Sequence, residues 1–229
     1  MSYTVFMSVE RSIKALLIIS VASIFLFVVR AVSFESLDYW YLIWNLLLAW
    51  VPLGFALLVV SMLGKNRWLS PALVLLTAGY VGFLPNSFYI ATDFIHVQYA
   101  SNQTILVDVV MILMFTIAGF ASGLISLVLI HQQLLKRLRA QQAHMIITGL
   151  LLACSFAIYL GRFLRWNTWD VLTNPGGIIF DVSYRLANPI DGRQMVSTTL
   201  LFFILLGSIY AASWQITAKS SLRIAKKHV

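Results

Sequence analysis

Apolar residues fall in long blocks along this chain, and polar residues collect between them. Six apolar runs lie at roughly 13–33, 39–63, 69–95, 105–130, 144–165 and 195–217. Each reaches the roughly 20 residues that a helix needs to cross a bilayer. The pattern predicts an all-α fold: a polytopic membrane helix bundle of about six transmembrane helices, forming a single transmembrane domain over 1–229. The first run follows Arg11 and Lys14, as a signal peptide would. Arg30, Ala31 and Val32 stand where a small-residue cleavage pattern belongs, so the run is read as a retained helix.

The polar stretches set the orientation. Lys65 and Arg67 mark the loop after the second run, Lys136, Arg137 and Arg139 the loop after the fourth, and Lys219, Arg223, Lys226 and Lys227 the tail. The loop before the second run carries Glu35 and Asp38 and no base, and the loop before the fourth has no Lys or Arg. Basic loops stay cytoplasmic, so both termini are expected inside. The longest loop, roughly 166–194, then lies outside. Within it Asn174 and Pro175 form a cap and first-turn pair. Ile178, Ile179, Val182 and Leu186 follow at helical spacing, with Asp181 and Arg185 elsewhere on the wheel. This predicts a short amphipathic helix, either lying in the outer interface or packed on the bundle mouth.

Composition agrees with a lipid solvent. The chain is 60% hydrophobic and 10% charged, where a soluble domain carries about a quarter charged residues. The net charge of +8 does not point to nucleic acid, because the bases sit in short clusters between apolar runs. The expected partner is the lipid bilayer, with the basic tail against anionic lipid. Cys154 is the single cysteine, which excludes an intrachain disulfide and argues against a cysteine zinc site. No internal repeat is visible, which weighs against a pseudo-symmetric transporter.

Two segments carry chemistry. In the first, Leu84 to His96, Pro85 interrupts the helix. Asn86, Tyr89, Asp93 and His96 would share an arc of about 80° if an α-helix continued at roughly 100° per residue. Such a face should point into the bundle or a water-filled cavity. In the second, Tyr159 to Asp170, Arg162 and Arg165 are three apart and share a helical face. Trp166 and Trp169 suit an interfacial belt. Counting about 1.5 Å per residue from the cytoplasmic ends puts the outer ends of these helices near residues 90 and 164. Asp93, His96, Arg162 and Arg165 therefore sit at similar depth. Asp108, in the first turn of the fourth run, and Asn45, two turns into the second, belong to the same layer.

The segments Leu-Pro-Asn-x-x-Tyr-Ile-x-Thr-Asp-x-Ile-His and Tyr-Leu-Gly-Arg-Phe-x-Arg-Trp-Asn-x-Trp-Asp resemble a bacterial multi-pass membrane family, domain of unknown function 1361. The likeness covers roughly 45–215 and leaves the first helix outside it. It implies a bacterial, polytopic protein of the cell (inner, cytoplasmic) membrane and supplies no activity.

Chemistry must therefore come from the residues. Asp93 and His96 are the candidate acid–base pair, since a carboxylate beside an imidazole fixes its tautomer and raises its basicity. Ser87 or Thr92 would then be the nucleophile, though neither stands in a nucleophile motif. The same pair could hold a metal with Asp108 or Asp170, but one histidine is a thin donor set. Arg162 and Arg165 suit a phosphate or carboxylate, with Asn86, Tyr89, Asp108, Asn167 and Asp170 completing a substrate-binding layer. The alternative is that the arginines only pair with Asp93, Asp108 or Asp170. His131 and His144 read as loop residues, and Gly119 with Gly123 as a close-packing pair. The function expected is binding or processing of a lipid-linked or anionic ligand at an extracytoplasmic cavity. A small ion or solute transporter and a structural assembly partner are the alternatives. The sequence names neither cofactor nor oligomeric state.

Overall fold

In hydrocarbon no water can satisfy a backbone amide, so an apolar run must bond to itself as a helix. Each of the six runs does. The structure, a computed structural model, describes residues 3–64 and 68–226, without the side chains of 3–8, 189, 191 and 218–226. The helices are α1 (Tyr3–Ser33), α2 (Tyr41–Met62), α3 (Pro71–Tyr89), α4 (Ile105–Leu135), α5 (Ala140–Phe163), the single turn α6 (Asp170–Thr173), α7 (Pro175–Ala187) and α8 (Pro189–Lys226). A 3₁₀ helix, Ile90–Tyr99, extends α3. Among the described residues six helical stretches are long and apolar enough to cross a membrane, including Pro71–Tyr99 and Gly192–Thr217. Lys65, Arg67 and Lys227, and the side chains of Lys219, Arg223 and Lys226, on which part of the expected orientation rests, lie outside the described residues.

The chain forms two compact units, Met1–Ile130 and His131–Val229. In the first, polarity is inverted relative to a soluble protein. On α1 the buried positions include Ser20, Ser23 and Arg30, while Ile18, Val21, Phe25, Val28 and Val32 are exposed. On α4 Asp108, Ser122 and Ser126 are buried, and Leu106, Val110, Leu113 and Ile117 face out. Polar groups inside and aliphatic groups outside is the arrangement a lipid solvent selects.

Pro52 lies one turn beyond an interior polar node. It lies inside α2, lacks an amide donor, and its ring disturbs the turn before it. The carbonyl of Ala49, in that turn, accepts hydroxyls from two other helices, Ser87 Oγ at 2.9 Å and Ser122 Oγ at 2.8 Å. Gly119 and Gly123 allow the approach. A Cβ at Gly119 would stand 2.6 Å from the Ser87 carbonyl oxygen, and one at Gly123 would stand 2.6 Å from the Phe88 ring. The expected close-packing pair is observed.

The α-helix does not continue through Asp93, as the arc of Asn86, Tyr89, Asp93 and His96 required. It tightens at Ile90. Two side chains take carbonyls three residues back, Asn86 Nδ2 to Phe83 O at 3.1 Å and Thr92 Oγ1 to Tyr89 O at 2.7 Å. Such bonds compete with the α ladder, and β-branched Ile90, Thr92, Ile95 and Val97 favour it least. In a 3₁₀ helix residues three apart eclipse. Ile90, Asp93, His96 and Tyr99 therefore form one face. It runs from fully buried Ile90, through buried Asp93 and half-buried His96, to exposed Tyr99.

In the second unit α5 and α7 both pack on α8. Asn174 caps α7 through Gly177 N at 3.1 Å, with Pro175 in the first turn, as expected. The helix turns its polar pair inward: Asp181 and Arg185 are half-buried, whereas Ile179, Phe180 and Leu186 are exposed.

Candidate functional site

Within the first unit, the ends of α1, the 3₁₀ helix and the start of α4 enclose a cleft of about 520 Å³. Its base is an ion pair. Arg30, in the last turn of α1, donates from Nε to Asp108 Oδ1 at 3.0 Å. Both partners are buried. Arg30 Nη1 donates to Ser36 O and Ser36 Oγ, each at 3.0 Å, and Nη2 faces Asp38 Oδ2 at 3.7 Å. The guanidinium lies 4.8 Å from the centre of the Tyr39 ring, a cation–π distance. The Tyr39 hydroxyl points at Asp108 Oδ2 from 3.4 Å. Burial raises its pKa, and the Asp108 carboxylate adds to this. The hydroxyl thus keeps its proton and presents it to Asp108.

The 3₁₀ face supplies the opposite wall. His96 lies against Tyr41, ring centres 5.4 Å apart, and against Tyr99 at 6.4 Å. One turn deeper, Asp93 Oδ2 accepts from Asn45 Nδ2 at 2.9 Å. Asn45, Asp93, His96 and Asp108, four members of the expected polar layer, therefore lie in one unit, with Arg30 and three tyrosines added to them.

Several expected roles change. Ser87 and Thr92, the candidate nucleophiles, give their protons to the Ala49 and Tyr89 carbonyls. Among the described residues no three His, Cys, Asp or Glu side chains are grouped to hold a metal, and Asp108 is engaged by Arg30. Asn86 bonds within its own helix, and Tyr89, half-buried, ends α3.

The second motif, in the other unit, mostly builds a turn. Arg162 lies in the last turn of α5, but that helix ends at Phe163. Arg165 has φ 59°, a left-handed conformation, and Trp166 N–H returns to Leu160 O at 3.2 Å. The two arginines are therefore not on one continuous helical face. Asp170 Oδ2 accepts the Asn167 amide N–H at 2.6 Å and Asn167 Nδ2 at 3.3 Å, closing the turn into α6. Trp166 Nε1 donates to Asp181 Oδ2 at 2.9 Å, tying the turn to α7.

The histidines read as loop residues are not in loops. His131 is buried in α4, with Nδ1 2.6 Å from the Tyr210 hydroxyl and its ring stacked 4.0 Å from Trp214. His144, in α5, stands edge-on to it at 4.7 Å. The helices run farther than the apolar runs that announced them.

A family model described as protein of unknown function (DUF1361) matches residues 44–209. The chain belongs to that family. No curated protein and no solved structure matches it. Asn45, Asp93, His96, Asp108, Arg162 and Arg165 lie inside the DUF1361 segment. Arg30, Tyr39 and Tyr41 precede it. The guanidinium that meets Asp108 comes from Arg30 of α1, outside the segment that carries the resemblance. The available signal was a charge at the end of an apolar run, a position that demands a partner when the helix packs inside a bundle.

Proposed function

We propose that the protein is a multi-pass protein of the bacterial cytoplasmic membrane that binds and processes the head group of a lipid-linked substrate. The orientation follows from Lys136, Arg137 and Arg139 in the loop after α4, which mark a cytoplasmic side. With both termini cytoplasmic, the Arg30–Asp108 cleft opens on the other side. The single observation that carries this reading is the cleft itself: a recess of about 520 Å³ where α4 begins, lined by both polar and apolar surface. Its size falls in the range of ligand pockets. A substrate anchored in the bilayer would meet it at head-group depth. In this reading His96 acts on the substrate with Asp93 behind it.

The test is photo-cross-linking from the rim. A benzophenone amino acid at Tyr99 or Ser101, both exposed, should capture a lipid-linked species in native membranes, identified by mass spectrometry. Capture of bulk phospholipid alone would overturn the reading. Transport is the second reading, favoured by the buried charge pair on membrane-spanning helices. A solute flux in proteoliposomes that depends on Asp108 would establish it.

A further inference from the structure

The charges and rings of the cleft restrict what it can hold, given the substrate reading above. A free anion needs unspent cationic donors. Arg30 has five N–H donors. Nε is taken by Asp108 and the two on Nη1 go to Ser36 O and Ser36 Oγ, while Nη2 stands 3.7 Å from Asp38, an ion-pair distance longer than a hydrogen bond. One guanidinium meets two carboxylates, so the lining as a whole is not anion-attracting. At the Tyr39 ring a cation fares no better. The face of Tyr39 that would receive it is already covered by Arg30 at 4.8 Å, and a second cation there would be repelled by the first.

What remains open is of another kind. Tyr41 and Tyr99 each pack a ring against His96. The Tyr99 ring, 77% exposed, is uncovered. Gln103, also lining the cleft, is exposed and offers both a carbonyl and an amide. Asp38, 76% exposed at its side chain, approaches Arg30 with one oxygen only at 3.7 Å, leaving acceptor capacity toward the cleft. Rings with apolar faces, beside mixed donors and acceptors and without surplus positive charge, suit a group with C–H faces and many hydroxyls. Each hydroxyl can both donate and accept, and an aromatic face beside polar tips is the complementary surface.

We propose that the cleft holds an uncharged, polyhydroxylated group, the saccharide part of a lipid-linked sugar, against the exposed Tyr99 ring with Asp38 and Gln103 bonding its hydroxyls. The whole chain in nanodiscs tests this by native mass spectrometry with three probes: a polyprenyl phosphate carrying one hexose, the same polyprenyl phosphate without sugar, and phosphatidylcholine. The sugar-bearing lipid should bind at least about tenfold more tightly than the sugar-free one, roughly the 1.4 kcal/mol that a decade represents. Tyr99→Ala and Gln103→Ala, both at exposed positions, should remove that difference and leave the sugar-free affinity unchanged. Equal affinity for both polyprenyl phosphates, or preference for phosphatidylcholine, would overturn the saccharide and leave the lipid-linked reading standing. Absence of binding by either polyprenyl phosphate would overturn both.

Discussion

Replacing Arg30 by Met tests the base of the cleft most sharply. Asp108 is 0% exposed. Its partners include Arg30 Nε at 3.0 Å and, more weakly, the Tyr39 hydroxyl at 3.4 Å. Without the guanidinium, a buried carboxylate faces only that hydroxyl and the surrounding helices. Breaking a buried pair from one side costs about 3–5 kcal/mol, while replacing both partners by apolar groups of similar volume is close to neutral or stabilising. Arg30→Met and Asp108→Leu should therefore each lose about 3 kcal/mol or more, and the double variant far less than their sum. Unfolding in mixed detergent micelles, followed through the fluorescence of the seven tryptophans, measures all three. Single losses below about 1 kcal/mol, or a double variant that loses the sum of its parts, would refute the reasoning. The folded double variant also separates glue from function. If the pair only holds α1 to α4, binding at the cleft survives the exchange. If the charges shape the ligand site, binding falls while stability returns.

Three further expectations use the same unfolding assay. Gly119→Ala drives a Cβ to 2.6 Å from a backbone carbonyl oxygen of α3 and should cost about 3 kcal/mol by overpacking, whereas Gly54→Ala, with nothing within 4 Å, should gain roughly 0.5–1 kcal/mol. Arg165→Gly should stabilise by about 1 kcal/mol, because an L-residue at φ 59° is strained; if the same variant weakens ligand binding, the arginine is held there for its side chain. Tyr210→Phe should cost roughly 1–3 kcal/mol, since the Nε2 of buried His131 has no hydrogen-bond partner among the described residues and Nδ1 would lose its own.

What the sequence revealed, and what it hid, divides along a physical line. Apolar run length fixes a transmembrane helix because a bilayer has one thickness. All six were legible, and the end of α5 fell at Phe163, one residue from its expected depth. Asp108 in a first turn and Asn174 as a cap were legible for the same local reason. The misses all turn on geometry that one-dimensional spacing does not encode. A change from α to 3₁₀ alters rotation by only about 20° per residue, yet over Asn86 to His96 it redistributes the polar face and brings Tyr99 onto it. A left-handed residue at Arg165 leaves no mark in composition, but it takes the second arginine off the helix. Arg30 was the costliest miss. It stands where a signal-peptide cleavage pattern would fall, and the family resemblance begins after it. Only a neighbouring helix could show that its partner is Asp108, 78 residues away. Asn45, Asp93, His96 and Asp108 thus lie in the first unit, where Arg30 is the cation that meets Asp108. That cation is already matched by carboxylates, and this is what moves the expected ligand from an anion toward a neutral, hydroxyl-rich head group.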